Sequence, residues 1–168
     1  MELRSVNKAL YRQRLNRLQG SMVVALFVLG LGFSSLYRWL WANGESSTLL
    51  NGAAVLTAVA LVSGVLLKIR HRPWMEDVLY VWNLKQELNR IYRHSARLEK
   101  ALADQWPEAF CIQYFSLHGS RHLYLIEDNT LTLPELDEKI ARFDERLRQQ
   151  GLSIEARDYD PEMLKRLP

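Results

Sequence analysis

The stretch that decides the fold is YRWLWANGESSTLL, from Tyr37 to Leu50, which separates two long apolar runs. It places aromatic rings and an arginine ahead of a polar segment that contains typical turn residues. Amphipathic aromatic rings favour the boundary between a bilayer and water, and an arginine near a helix end can reach the headgroups. We therefore predict that this stretch is the turn of a membrane hairpin. The residues predicted to lie at its membrane interface are Tyr37, Arg38, Trp39 and Trp41.

The two apolar runs are each long enough to cross a bilayer as a helix. Met22–Trp41 would span about 30 Å and Leu49–Leu67 about 28 Å. Between Met22 and Leu67 the only charged side chains are Arg38 and Glu45. The mean hydropathy of −0.18 conceals this segregation. We therefore predict a transmembrane hairpin over residues 21–68, with spans at 22–41 and 49–67.

The distribution of basic residues predicts the orientation of the hairpin. Residues 1–20 carry a net charge of +4, whereas the loop from Ala42 to Thr48 has no basic residue. The positive-inside rule then places both termini in the cytoplasm of a multi-pass membrane protein. Because the basic residues adjoin the apolar runs, they indicate topology or lipid contact rather than nucleic-acid binding. These residues are Arg12, Arg14 and Arg17 before the first span, and Lys68, Arg70 and Arg72 after the second.

A cleaved signal peptide is the alternative interpretation of the first run. Its uninterrupted apolar part, Met22–Phe33, has the length of a signal-peptide core. However, a long polar arm precedes it, and the small-residue pattern for cleavage is poor. The sequence therefore favours an uncleaved span.

The basic arm at residues 1–20 has a helix-forming composition and a ragged apolar stripe. Two interpretations of this arm stay open. It lies along an anionic membrane surface, where each basic residue contributes about 1 kcal/mol, or it serves only to set the topology.

Small residues at helical spacing predict which faces of the two spans meet. Such residues let helix backbones approach closely in lipid. We expect them to pack within the hairpin, with dimerisation through the same face as the alternative. The predicted faces are Ser21, Ala25, Gly32 and Ser35 in the first span, and Ala53, Thr57, Ala60 and Gly64 in the second.

Residues 73–168 predict an all-α cytoplasmic domain, an antiparallel bundle of about three helices. The first helix, from Pro73 to Gln105, carries a coiled-coil-like heptad seam interrupted at Ser95. The second, residues 108–126, is apolar on several sides and is predicted to be central, although two strands meeting near HGSR are an alternative. Thr132 and Glu135 predict a capping box at the third. Trp74 is predicted to anchor the first helix at the membrane interface.

The candidate for chemistry is a set of one cysteine and two histidines. Cys111, His118 and His122 share one face if residues 108–126 form a helix, and a thiolate with two imidazoles can ligate zinc or copper. The competing interpretation is structural, with Cys111 in the core and the histidines at a polar edge. Cys111 is the only cysteine, so no intramolecular disulfide is possible, which fits a reducing compartment. We predict no cofactor and no catalytic residue.

Two motifs resemble a known protein family. VLYVWNLKQELNRIYR (Val78–Arg93) and EDNTLTLPEL (Glu127–Leu136) are similar to segments of an uncharacterised family of small inner-membrane proteins of gamma-proteobacteria, a domain of unknown function. The resemblance covers essentially the whole chain. It implies a location in the bacterial inner membrane, and it transfers no activity, substrate or catalytic residue.

These observations predict a membrane-anchored, non-enzymatic interaction or scaffold protein. Its expected partners are the lipid bilayer and either further copies of itself or a membrane protein complex. Two alternatives stay open: a metal-binding or enzymatic domain centred on Cys111, His118 and His122, and a module that senses anionic lipids.

Overall fold

The computed structural model describes residues 2–41 and 47–168, and within these ranges the chain forms helices and no strand. The prediction of an all-α protein is therefore confirmed at the level of secondary structure. Residues 42–46, which contain the predicted turn and Glu45, lie outside the described residues. The α-helices are α1 (Lys8–Trp41), α2 (Thr48–Ile69), α3 (Glu76–Arg93), α4 (Ser95–Ala103), α5 (Pro107–Glu127), α6 (Leu133–Gln149) and α7 (Met163–Arg166).

Short 3₁₀ turns at Pro73–Met75 and Ala156–Asp158 complete the secondary structure of the described residues. The chain divides into two compact units. The N-terminal residues through Lys8 and Tyr80–Pro168 form the first, which we call the helical unit. Ala9–Leu79 form the second, which we call the apolar unit because it contains α1 and α2.

Two helices of the apolar unit, α1 and α2, are long and apolar enough to cross a membrane by length and composition. Two polar contacts connect them. The Ser34 hydroxyl donates to the Asn51 side-chain oxygen at 2.6 Å. The Thr57 hydroxyl donates to the Ala53 carbonyl, so it accepts the hydrogen bond of 2.9 Å from the Tyr37 hydroxyl.

The predicted packing faces of these helices are wrong for most of their residues. Ala54, Ala58 and Val62 form the buried stripe of α2, and none of them belongs to the predicted face. Gly32 in α1 and Gly64 in α2 have open space where a side chain would begin. Small residues occur on several sides of both helices, so their spacing did not identify the buried side. In the structure the buried side of α2 carries Ala54 and Ala58, and the hydrogen bond between Ser34 and Asn51 connects α2 to α1.

The helical unit is built around α5, which packs against α4, α6, α7 and the Ala156–Asp158 turn. Residues 108–126 are thus one central helix, and the two-strand alternative is wrong. Gly119 lies where α3 approaches, and a β-carbon there would come within 3.2 Å of the Leu88 side chain. The close approach of α3 explains the glycine in this helix. The buried residues of α5 are Ala109, Phe110, Ile112, Phe115, Leu117, Gly119, Leu123 and Ile126.

The predicted continuous helix from Pro73 to Gln105 is interrupted in the structure. It begins with a 3₁₀ turn and then divides into α3 and α4 at His94. The His94 backbone leaves the helical region, with φ −105° and ψ 14°, and its ring nitrogen contacts the Arg90 carbonyl at 2.8 Å. The break lies beside Ser95, where the heptad seam has no apolar residue. Ile91 and Leu98, on either side of the break, are both buried.

The predicted capping box at α6 is also wrong. Thr132 precedes the helix but makes no side-chain capping hydrogen bond. Glu135 instead accepts a hydrogen bond of 2.6 Å from Lys139, one turn further along. An exposed carboxylate can pair with either its own backbone or a neighbouring cation, and the sequence motif does not choose between them.

Tyr159 connects the last segment of the helical unit to its core. Its ring stacks on Phe115 with centroids 4.3 Å apart, and its hydroxyl donates to Glu87 at 2.5 Å. Burial and the Glu87 carboxylate raise the pKa of the Tyr159 phenol. Arg90 and Arg97 donate to the carbonyls of Pro161 and Pro168. These contacts hold the C-terminal segment against α3 and α4.

Replacing Phe115 by alanine is expected to destabilise the helical unit by about 3–5 kcal/mol, because the ring is fully buried and stacks on Tyr159. Unfolding followed by near-ultraviolet circular dichroism measures the change. Leu131→Ala is the control, since Leu131 is 93% exposed and its loss should change stability by less than about 0.5 kcal/mol. Equal stability of the two variants would contradict this account of the core.

Candidate functional site

Of the predicted helical arm over residues 1–20, residues 8–20 are helical as part of α1, whereas residues 2–7 before it are not. We call residues 2–7 the N-terminal segment. Its Arg4 backbone nitrogen donates to the Tyr80 hydroxyl at 3.0 Å, and the Arg4 guanidinium lies 4.7 Å from the centroid of the Tyr80 ring. A cation over an aromatic ring contributes about 0.5–2 kcal/mol. The segment is therefore held on α3 by a hydrogen bond and a cation–π contact.

His122 of α5 lies beside the same tyrosine. The two rings meet edge to face with centroids 6.2 Å apart. The His122 Nε2 atom is buried, and among the described residues it has no hydrogen-bond partner. Burial lowers the pKa of His122, while a hydrogen bond to the Arg4 backbone acts in the opposite direction. Burial also raises the pKa of Tyr80. Both side chains are therefore uncharged at neutral pH.

Two ion pairs involve the carboxylates at the C-terminal end of α5. Lys8, at the start of α1, lies 3.4 Å from Asp128, and Lys85 of α3 lies 2.5 Å from Glu127 at the end of α5. All four side chains are between one-third and one-half exposed, so each pair is worth at most about 1 kcal/mol. These carboxylates belong to the EDNTLTLPEL motif. In the structure Asp128 pairs with the first residue of α1, and Glu127 pairs with α3.

The predicted metal ligands have separate neighbours in the structure. His118 stacks on Tyr114 at 4.0 Å and lies 3.4 Å from Asp144, while His122 lies beside Tyr80. Within residues 2–41 and 47–168, no three His, Cys, Asp or Glu side chains are grouped so that they could hold a metal ion. The structure therefore gives the metal hypothesis no geometric support.

The environment of Cys111 disfavours the thiolate form of its side chain. Burial, followed by the nearby carboxylates of Asp158 and Glu108, raises the pKa of the thiol. The thiolate is both the nucleophile and the metal ligand, so this environment disfavours the reactive form. A half-buried thiol on the central helix is consistent with the structural interpretation of Cys111.

A second candidate site lies within the apolar unit. It is formed by the N-terminal part of α1 and by the turn that follows α2. Gln13, Arg14, Arg17 and Trp74 line a cavity of about 330 Å³, which we call the basic cavity. Arg14 donates to Asp77 at 2.9 Å. The structure thus brings two predicted lipid or topology residues, Arg14 and Arg17, together with the predicted interface residue Trp74.

An apolar groove lies between α1 and α2. Its volume is about 260 Å³. Leu18, which lines the groove, follows Arg17 of the cavity directly in α1. We call it the apolar groove, and its lining residues are Leu18, Ser21, Met22, Ala25, Leu29, Val62, Val65, Leu66 and Ile69.

The other predicted interface residues lie near the C-terminal end of α1. Trp39 and Trp41 are 75% and 68% exposed. The Arg38 guanidinium folds back to the Ser34 carbonyl at 3.4 Å. Arg12, Lys68, Arg70 and Arg72 are exposed and do not line the basic cavity.

The comparisons with known proteins identify a family. Residues 1–164 match the model of a family described as Protein of unknown function (DUF3087). The chain belongs to this family. Membership of an uncharacterised family, expected from the resemblance of the two motifs, is thereby confirmed. No curated protein and no solved structure matches the chain. The family carries no assigned activity, so function has to be argued from the structure.

Sequence reasoning missed the roles of Arg4, Tyr80 and Gln13. Arg4 is one of the basic residues of the arm, and its charge alone does not reveal a contact with a ring far along the chain. Tyr80 lies within the VLYVWNLKQELNRIYR motif, and its presence there was the available signal. Gln13 gave none, since exposed glutamines are common on helices.

Acid is expected to weaken docking of the N-terminal segment through His122. The folded pKa of His122 is below its value in the unfolded chain, so the neutral ring favours the docked state. Stability should be unaffected above about pH 6.5 and should fall as the pH decreases below it, because protonation favours the undocked ring.

Hydrogen exchange of residues 2–7 between pH 8 and pH 5, corrected for intrinsic rates, measures this loss. His122→Phe should abolish the dependence, because phenylalanine keeps the ring contact and does not titrate. His71→Phe, at an exposed position, is the control and should behave as wild type. An equal acid-induced loss in the His122→Phe protein would contradict the assignment.

Proposed function

We propose that this protein is a non-enzymatic interaction protein anchored in the bacterial inner membrane. In this proposal α1 and α2 cross the membrane as a hairpin, both termini lie in the cytoplasm, and the helical unit binds a protein partner. The observation that carries the proposal is the apolar surface that α1 and α2 leave uncovered in the protein.

The uncovered apolar surface is extensive. Leu56 of α2 is 72% exposed, and several residues of α1 are more than half exposed. Soluble proteins rarely leave contiguous apolar patches of more than a few hundred Å² in contact with water. An exposed apolar surface of this kind is compatible with contact with lipid chains. The exposed residues of α1 are Val23, Val24, Phe27, Val28 and Leu31.

The contents of the helical unit support a hairpin rather than a single crossing. The N-terminal segment, which precedes α1, and Tyr80, which follows α2, belong to the same compact unit. If the apolar helices cross the membrane, both ends must lie on one side of it. An even number of crossings satisfies this requirement, and α1 and α2 provide two.

The basic residues support a cytoplasmic position for that side. Arg12 and Arg17 precede the apolar part of α1, and Lys68, Arg70 and Arg72 follow α2. Basic residues within about 15–20 residues of a span are retained in the cytoplasm. Ser47 at the start of α2 belongs to the opposite, external end in this proposal.

The outer surface of α3 supports the partner-binding role. The heptad seam is used inside the unit, where Val81, Leu84 and Ile91 are buried. Trp82 and Tyr92 are instead 57% and 77% exposed on this helix. Tryptophan, tyrosine and arginine are the residues most enriched at binding hot spots. We therefore assign partner binding to the exposed surface of α3, with a second copy or another membrane protein as the partner.

Cysteine labelling in cells tests the anchoring and its topology. In a Cys111→Ser background, Ser47→Cys is expected to react with a membrane-impermeant maleimide from outside. Leu131→Cys, at a 93% exposed position of the helical unit, should react only after permeabilisation. Recovery of the protein in the soluble fraction, or labelling of Leu131→Cys from outside, would contradict the proposal.

Gentle extraction of tagged protein at native expression tests the partner. Mass and peptide identity show whether a second copy or another protein co-purifies stoichiometrically. A combined Trp82→Ala and Tyr92→Ala variant should weaken capture by about 30-fold or more, since truncating a hot-spot residue costs about 2 kcal/mol or more. Leu131→Ala, outside this surface, should leave capture unchanged. Unchanged capture by the double variant would remove the assignment to α3.

A further inference from the structure

We infer that the basic cavity is a binding site for an anionic phospholipid. Its phosphate would lie against Arg14, Arg17 and the polar atoms of Gln13 and Trp74, and one acyl chain would lie in the apolar groove. The inference rests on the membrane anchoring proposed above, and it adds a specific ligand class and the residues that recognise it.

The cavity carries a net positive charge. Arg14 and Arg17 are one helical turn apart on α1 and line the same cavity. Asp77 compensates Arg14 through the ion pair of 2.9 Å, and it also fixes the direction of that guanidinium. Arg17 makes no ion pair with any described residue and is exposed. One guanidinium is therefore held in place by Asp77, and the second is available to an anion.

The remaining lining groups suit a phosphate ester. Guanidinium groups bind phosphate oxygens in a bidentate manner, and the Gln13 amide and the Trp74 indole each provide additional N–H donors. Trp74 lies in the Pro73–Met75 turn, and that turn is closed by a hydrogen bond of 2.9 Å from Met75 to the Arg72 carbonyl. A rigid turn therefore positions the indole beside the two arginines.

The position of the cavity along the chain matches the depth of lipid headgroups. Arg17 precedes the apolar run at Met22 by five residues of α1, a distance of about 7.5 Å along a helix. The headgroup layer on each side of the hydrocarbon core is about 5–8 Å thick. Trp74 follows the end of the second apolar run at Leu67 by seven residues. Arg17 therefore lies at headgroup level when α1 and α2 span the bilayer, and Arg14 lies one helical turn further from the hydrocarbon core.

The apolar groove provides the surface for an acyl chain. It begins at Leu18, next to Arg17, and runs between α1 and α2 past Ala25 to Leu29. Its other wall extends from Ile69 back to Val62, so the groove follows the two apolar runs from the end of α1 that carries Arg17. A headgroup site followed by an apolar groove in this direction matches a phospholipid better than a soluble phosphate.

The charge of the cavity predicts selectivity among lipids. A zwitterionic headgroup would place a quaternary ammonium near the guanidinium of Arg17, which lines the cavity. An anionic headgroup lacks this repulsion. We therefore expect preference for phosphatidylglycerol over phosphatidylcholine, with a decrease in affinity as salt increases.

Titration of the full-length chain in neutral detergent micelles tests the site. The probes are dioctanoyl phosphatidylglycerol, dioctanoyl phosphatidylcholine and glycerol 3-phosphate, with the number of bound molecules counted by native mass spectrometry. Arg17→Gln should weaken phosphatidylglycerol binding by about tenfold or more, because a charge-assisted hydrogen bond to a phosphate is lost. Trp74→Phe should cause a smaller loss of the same sign.

Arg70→Gln is the matched control. It removes the same charge from the same end of the apolar helices, but Arg70 does not line the cavity. A loss in Arg17→Gln with retained binding in Arg70→Gln supports the site. Equal losses in both variants would overturn it in favour of general attraction to a basic surface. Binding of glycerol 3-phosphate as tight as that of the lipid would overturn the lipid assignment in favour of a soluble phosphate ester.

Failure of the lipid site can be distinguished from failure of the proposed membrane anchoring. Arg17→Gln and Arg70→Gln are also scored for membrane insertion by the Ser47→Cys and Leu131→Cys labelling pattern. Normal labelling together with unselective lipid binding would remove the lipid site and leave the anchoring intact. Abnormal labelling of the wild-type chain would instead contradict the anchoring on which the lipid site rests.

Discussion

The docking of the N-terminal segment on α3 and α5 is the constraint on which the rest of the structure depends. The chain leaves the helical unit at Lys8 and returns to it at Tyr80, and Tyr80 itself receives the hydrogen bond from Arg4. The segment between these two residues therefore begins and ends at the same unit. Because both ends of the segment that contains α1 and α2 belong to one unit, two membrane crossings are consistent with the fold.

The two units use apolar residues in opposite ways. The helical unit buries its large side chains around α5, where Phe115 and Tyr159 stack. In α1 and α2 the largest apolar side chains face outwards, and the helices meet through alanines and the hydroxyl and amide groups of Ser34 and Asn51. In lipid the hydrophobic effect does not drive helices together, so close packing and hydrogen bonds must hold them. The contacts between α1 and α2 are of that kind.

Much of the helical content was predictable, and much of the pairing was not. The apolar runs and the central helix of residues 108–126 follow from composition and periodicity, which are local properties. The break at His94 was not predicted, since the seam residues on both sides of it are apolar and regular. Cys111, His118 and His122 share one helix as predicted, but their partners come from other elements. The basic cavity was predicted as separate residues and not as one site.

The sequence by itself determined where the chain is apolar enough to span a membrane, where it is basic, and that the rest is helical. These features depend on composition and on the spacing of neighbouring residues. Only the tertiary structure decided that Arg4 meets Tyr80 and that Arg14 and Arg17 share a cavity with Trp74. The physical reason is that these contacts join residues about 60 to 76 positions apart. Their geometry depends on how whole helices pack, which no local pattern encodes.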